Sequence, residues 1–257
     1  PIKYAILPQA LHPDELVGGN ALVETGTSLA ILIGMIAGGS AMASAGPVAA
    51  SILVLAIAVA GYLVCRSIPP APPTAPDLKF NWNPFTETVQ VLGFVTKNRT
   101  VFNSVLGISW FWFFGGVFTM QLPNYTKIFL GGTESVSILV LALFSIGVGA
   151  GSLLCERMSG RKVEIGLVPF GSIGLTLFGL DVYFARPEAT SLHGLSALAF
   201  VFAPGSWRIV IDFILVGVFA GFYIVPLFAL VQSRADRSEL SRVIAGNNIV
   251  NALLIVA

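Results

Sequence analysis

Apolar residues dominate this chain in long blocks separated by short polar breaks. A helix needs roughly 20 apolar residues to cross a hydrocarbon core of about 30 Å. Runs of that kind occupy residues 22–43, 47–65, 101–121, 136–154, 165–184 and 209–231, with a seventh beginning at Val243. Pro13 followed by Asp14 and Glu15 has the chemistry of a helix first turn, so the first helix is expected to begin well before its apolar block. One stripe of that helix breaks the pattern. Asn20, Glu24, Thr27, Gly34 and Gly38 follow at spacings of four, three, seven and four, which puts them on one helical face. A carboxylate in a lipid-spanning helix is costly unless its face meets protein or water. The stripe is therefore expected to face a cavity or a partner helix.

Between the second and third runs, Pro69, Pro70, Pro72, Pro73 and Pro76 fall within eight residues. That density precludes a helix and predicts an extended, solvated linker. After it, Phe85, Val89 and Leu92 recur at i, i+4 and i+7 up to Asn98, the pattern of a short amphipathic helix at the membrane surface. The linker is the only break in composition, so three parts are expected: residues 1–66, 67–100 and 101–257. Loop charges set the orientation. Lys3, Arg66, Lys79, Lys97, Arg99, Arg157, Arg161, Lys162, Arg234, Arg237 and Arg242 fall on one side, against Lys127, Arg186 and Arg208 on the other. The first side, with the linker, is assigned to the cytoplasm. The apolar stretch 195–203 is too short to span; an interfacial turn and a loop buried over the bundle are both open readings.

Composition agrees with the pattern. Hydrophobic residues make up 55% and charged residues 11%, against about 25% charged in a soluble domain, and the mean hydropathy is +0.86. This is an all-α integral membrane protein. A net charge of +1 offers no basic face to nucleic acid. Cys65 and Cys155 lack metal-ligand spacing and imply neither a metal site nor a disulfide framework. No phosphate-binding Gly-rich loop is present, and neither His12 nor His193 is followed by Asp at the fifth position, so no catalytic residue and no cofactor is expected. The chain begins without Met and stops within an apolar run, which suggests part of a longer membrane protein.

Small residues mark the places where helices approach closely. Gly34 with Gly38, and Gly217 with Gly221, form small-xxx-small faces. Gly147, Gly149 and Gly151 thin one side of the fourth run. Pro226 removes a backbone hydrogen bond and is expected to kink its helix. These positions read as a hinge or as static packing. Among polar groups, Glu24 is the leading candidate for a ligand path. Asn247 and Asn251, one turn apart, suit either a ligand or another helix. Asp181 and Asp212 lie near the outer ends of their runs and read as interfacial. Trp110 to Phe114 is a run of five aromatics, suited to a lipid-facing belt or to an acyl-chain wall.

Glu156, Arg157, Gly160, Arg161 and Lys162, after the fourth run, resemble the acidic-basic-Gly-basic loop of the major facilitator superfamily. Glu156 stands for the usual Asp, and one extra residue precedes Gly160. The resemblance implies a gating pair between Glu156 and the loop arginines. It also makes the runs helices five to eleven of a twelve-helix transporter. Residues 1–66 then end the N-terminal six-helix bundle, and 101–257 belong to the C-terminal one. Pro1-Ile2-Lys3-Tyr4, the Asn20 to Glu24 segment, Gly34 to Gly39, Gly217 to Leu230 and Asn247 with its neighbours are similar to the bacterial lysophospholipid transporter family. That similarity implies inward flipping of lysophosphatidylethanolamine or related lipids across the bacterial inner membrane. Lys3, Asn20, Glu24, Asn247 and Asn251 would line the path. Ile108 to Phe114 and Leu154 to Gly160 look closer to a subgroup fused to an acyltransferase and an acyl-carrier-protein ligase. Two other readings stand beside it: proton-coupled efflux of small amphiphiles, hinted at by the Gly34, Gly38-Gly39 and Gly46-Pro47 pattern, and a membrane part that feeds lysolipid to a fused acyltransferase.

Overall fold

The computed structural model describes residues 2–68, 70–71, 81–160, 162–185 and 194–256. Two short helices, α1 (Ile2–Ala5) and α2 (Leu7–Ala10), lead through a 3-10 turn at Pro13–Glu15 into the long α3 (Leu16–Cys65). There follow α4 (Pro84–Thr96), α5 (Arg99–Ile128), α6 (Glu134–Met158), α7 (Leu167–Phe184), the short α8 (Ala197–Phe202), α9 (Ser206–Arg234) and α10 (Leu240–Val256). Among the described residues six segments have the length and apolarity to cross a membrane, with Leu240–Val256 a shorter apolar helix beside them. The protein is a multi-pass, all-α membrane protein. Of the linker prolines only Pro70 lies within the described residues.

Two spans, Pro13–Met42 and Ser44–Cys65, run along α3, whose helical geometry is interrupted at Gly46, with φ 76° and ψ −173°, just before Pro47. Only glycine adopts that conformation without strain, and Pro47 cannot donate the hydrogen bond that would carry the helix across. The first span starts at Pro13, ahead of its apolar block as the Pro13-Asp14-Glu15 turn predicts, and Val17 and Ala21 are buried in the core shared with later helices. The third span overruns the expected residue 121 and continues past Pro123 to Ile128. Leu122 and Thr126 are buried there, and Tyr125 donates to Val182 O at 2.7 Å, so tertiary contacts hold a helix that local sequence would end.

α9 is the central element, packed on by α3, α5, α6 and α7. From Ala220 to Gln232 every residue is buried, as expected of a helix segment that is apolar nearly all round. Its seam with α6 is made of four glycines. A Cβ on Gly147 or Gly151 would collide with the carbonyls of Ile214 and Val218. One on Gly217 or Gly221 would collide with α6 backbone from Phe144 to Ser152. Without a hydrophobic drive between helices in lipid, such backbone approach is what van der Waals association requires. Gly149 lies on the opposite side of α6 and meets Thr25 of α3, so the three glycines thin two faces and not one. Pro226 is buried inside α9.

At the other end of the linker, Asn83 caps α4 by accepting from Phe85 N at 3.0 Å and Thr86 N at 3.4 Å. Val91 and Val95 are the residues that α4 buries, seated where Gly246 of α10 leaves room. Phe85 and Val89 are exposed. The apolar stripe read from sequence is therefore the outward edge of this helix, and a neighbouring one packs. In the stretch 195–203, α8 buries Phe200 completely and leaves Leu198 and Phe202 exposed.

Candidate substrate path

The start of α3, the C-terminal end of α9 and the short α1 meet in one buried polar cluster, with the C-terminal end of α6 packed beside it. Its base is the turn at Pro13–Glu15, where His12 N donates to Glu15 Oε2 at 2.9 Å and starts α3 at a fixed angle. Two turns up, Asn20 is fully buried and Glu24 is 3% exposed. Asn20 Nδ2 donates to Leu16 O at 2.8 Å and to Gln232 Oε1 at 2.6 Å, and Gln232 Nε2 returns a bond to Asn20 Oδ1 at 3.1 Å. Gln232 Nε2 also donates to Tyr4 O at 3.0 Å. The two primary amides thus form a reciprocal pair that joins the first span to the sixth.

Tyr4 closes the cluster from the side. Its ring stacks on Phe228 of α9 with centroids 4.1 Å apart and planes 4° from parallel, and its hydroxyl donates to Glu24 Oε1. Burial, with the Glu24 carboxylate beside it, holds the Tyr4 phenol well above the ordinary tyrosine range. It therefore remains a donor at any physiological pH. Lys3 lies over the same ring, 4.7 Å from its centroid, and donates to Thr27 Oγ1 at 3.0 Å. Glu24 stands eight residues above Leu16, about 12 Å along the helix, so a carboxylate at this depth has a neutral hydrogen-bond donor on it and an ammonium group one turn away.

Lys3, Asn20, Glu24 and Thr27 do come together, but Asn20 and Glu24 are shut in by Tyr4 and Gln232. Only Lys3 and Thr27 border an open groove along the outside of α3. Sequence reasoning missed Gln232 and gave Tyr4 no role of its own. Gln232 reads as the first polar residue past an apolar run, and no local signal ties it to a residue more than 200 positions away. Asn247 and Asn251 lie elsewhere, on α10 against α5. Asn251 Oδ1 accepts from Ser109 Oγ at 2.6 Å, a helix-to-helix bond. Asn247 is 1% exposed, and its Oδ1 has no hydrogen-bond partner.

Of the pairing expected in the loop after α6, the structure describes Glu156, Arg157 and Lys162. Glu156 packs its carboxylate over Gly18 of α3, where a Cβ would lie 2.6 Å from Oε1. Among the described residues it forms no ion pair with Arg157 or Lys162, the pairs being Lys97 with Glu239 and Arg208 with Asp181. Adjacent positions on a helix do not face each other, so Arg157 points away while Glu156 faces α3. Gly160 turns the chain at φ 58°. Arg161 lies outside the described residues. On the stripe, a Cβ at Gly34 or Gly38 would meet nothing within 4 Å, whereas Gly217 and Gly221 interlock with α6.

Contact between α3 and the later helices is thus concentrated at one end. Among the described residues none of α3 beyond Ser28 is buried. Toward the opposite end, an apolar cavity of about 470 Å³ opens between α5, α7 and α9, lined by Phe114, Phe118, Leu122, Tyr125, Val182 and Phe213 among others. The aromatic run divides: Phe111 is buried, Trp110 and Phe113 are exposed, and Trp110 stacks on Phe114 at 5.7 Å. Asp181 and Asp212 also divide. Asp181 is half-buried in its bond to Arg208, but Asp212 is 3% exposed, and so is not the water-facing residue its position suggests.

A family profile described as Major Facilitator Superfamily matches residues 1–257. The chain is similar to a protein of Cronobacter sakazakii named lysophospholipid transporter LplT, with 31% identity over 246 residues, 93% of this chain and 55% of that protein. Proteins of the same name from Klebsiella pneumoniae and Escherichia coli are 29% and 28% identical, with the same coverage. The chain spans about half the length of these curated relatives. No solved structure matches it.

Proposed function

The chain belongs to the Major Facilitator Superfamily, and from that premise we propose that it is part of a transporter flipping lysophospholipids inward across the bacterial inner membrane by alternating access. The observation that carries the substrate class is the similarity to lysophospholipid transporters along 93% of the chain. On this reading residues 1–66 close an N-terminal bundle, 67–100 form a cytoplasmic connection, and 101–257 belong to a C-terminal bundle. The Lys/Arg-rich side is the cytoplasm. The amide pair of Asn20 and Gln232, with Tyr4 on Glu24, is the cytoplasmic gate, seen here shut.

The chemistry of a one-chain lipid suits these parts. Its head group needs polar partners, and its tail needs an apolar wall reached from the membrane. Once Tyr4 and Gln232 part, Lys3 offers a cation to phosphate, and Glu24 with Asn20 offers acceptors to an ammonium group. The apolar cavity among α5, α7 and α9 takes the tail. Glu156 over Gly18 seats the loop of α6 against α3 while the gate is shut, with Arg157, Gly160, Arg161 and Lys162 forming its basic turn. The glycine seam of α6 and α9, Gly217 and Gly221 included, keeps those helices moving as one body, and Pro226 sits in the helix that carries Gln232. Asn247 and Asn251 border the path from α10, where the unpartnered Asn247 oxygen is free to accept from a ligand.

The test is uptake of labelled lysophosphatidylethanolamine into spheroplasts expressing the full-length protein with Glu24→Gln. A fall of tenfold or more at equal protein level is expected. Uptake at the parent rate refutes the role of Glu24, and absence of uptake by the parent refutes the substrate.

A further inference from the structure

Asp212 is used by nothing described so far, and its setting is unusual. It lies one turn along α9 from Arg208, in the half of the molecule away from the gate. Arg208 is already committed: its Nε donates to Asp181 Oδ2 at 3.0 Å, and its Nη2 donates to Asp181 Oδ1. That fork-to-fork pairing satisfies one carboxylate with one guanidinium. Asp212 is within hydrogen-bonding reach of Asp181, yet it is 3% exposed and its Oδ2 has no partner. Two carboxylates share one cation, and the shielded one is left over.

A shielded, uncompensated carboxylate is among the costliest groups in a membrane protein. Two ligands relieve it, a proton or a metal cation, and the surroundings favour the first. A metal cation such as Na⁺ or Ca²⁺ needs several oxygens around it and would sit against the Arg208 guanidinium. A proton needs one oxygen, and it converts the approach of Asp212 to Asp181 from repulsion into an O–H···O bond. Among the described residues, the charged groups facing Asp212 are Asp181 of α7 and Arg208 of its own helix. On the neighbouring outer ends of α5 and α6, Lys127 and Glu134 are exposed, α8 carries no titratable group, and Tyr125 is engaged with Val182 O.

We propose that Asp212 is a proton-binding site of the outer half of this bundle, taking up one proton that it shares with the Asp181–Arg208 pair across the seam of α7 and α9. The proton removes the leftover charge and tightens that seam. α9 is also the helix that carries Gln232, so the site and the gate lie on one element. The assignment does not depend on which substrate is carried.

The experiment uses the full-length protein in detergent, without substrate. The apparent melting temperature is measured from pH 5.5 to 8.5 for the parent and for Asp212→Asn, in sodium and in choline chloride. The parent is expected to lose thermal stability as pH rises and the proton leaves. Asp212→Asn, which carries a neutral donor permanently, is expected to keep the low-pH value and to lose most of the pH dependence, equally in both salts. An Asn variant with the parent's full pH dependence overturns the proposal, as does a dependence present in choline and abolished by sodium. Should the variant fail to fold, infrared spectroscopy of a Glu24→Gln protein decides: a protonated carboxyl band that titrates in this range supports the site, and its absence overturns it.

Discussion

Replacing Gln232 with Leu keeps the volume of the side chain and deletes every polar contact it makes. Asn20 Nδ2 keeps its bond to Leu16 O, but Asn20 Oδ1 and Tyr4 O each lose the donor they receive from Nε2. A buried acceptor left without a donor costs about 1–3 kcal/mol. Two of them, partly relaxed, place the closed gate about 2–4 kcal/mol higher. The open gate returns both groups to water and bears none of this cost. At 1.4 kcal/mol per decade the open fraction rises about 30- to 700-fold. Cys155 is a native reporter of that change. It is fully buried in the cluster that contains Val17 and Ala21 of α3, while Cys65 is exposed and is removed as Cys65→Ser. When opening and closing are fast relative to labelling, maleimide modification of Cys155 tracks the open population. Gln232→Leu is expected to accelerate it by at least tenfold. A rate within threefold of the parent, with normal reactivity in denaturant, refutes the idea that the amide pair holds these helices together.

Gly217→Leu forces a side chain into the α6 backbone, and overpacking costs about 1–3 kcal/mol where the neighbour can yield and more where it is backbone; folded yield by size-exclusion chromatography should collapse. Gly34→Leu, which meets nothing within 4 Å, should leave the folded yield near the parent's. Asn98 accepts from Thr100 N and Val101 N at the start of α5, so Asn98→Ala should cost about 1 kcal/mol, read as a lower midpoint in detergent-unfolding titrations. The phenol of Tyr4, raised by burial, contributes stability that is complete below the unfolded tyrosine value of about 10 and is lost as pH climbs above it. Alkaline absorbance titrations of the parent and Tyr4→Phe should coincide up to that pH, and an extra ionisation in the parent near pH 10 would contradict the burial.

The apolar spans, their helical type and the membrane setting were legible in the one-dimensional pattern, because lipid forces each backbone polar group to be satisfied within its own segment. Runs of apolar residues therefore report spans directly. Ends were less legible. The start of the first helix was written in its Pro13-Asp14-Glu15 turn, but α5 passes Pro123 because later helices bury Leu122 and Thr126, and no local propensity encodes a neighbour. The polar stripe correctly marked Asn20 and Glu24 as facing protein, since periodicity records which residues share a face. It did not reveal which protein they face. Gln232 meets Asn20 across 212 positions, and Tyr4 reaches Glu24 by folding back from a separate short helix. Glycine spacing was equally ambiguous: Gly34 with Gly38 and Gly217 with Gly221 carry the same pattern, yet only the second pair has a helix against it. Asp181 and Asp212 differ for the same reason. Both are acids near helix ends, and only the three-dimensional placement of Arg208 decides that one is paired, half-buried, and the other is left over in the seam. Sequence determined the elements and their polar faces; tertiary structure decided the partners, because burial and pairing depend on the other helices as much as on the residue itself.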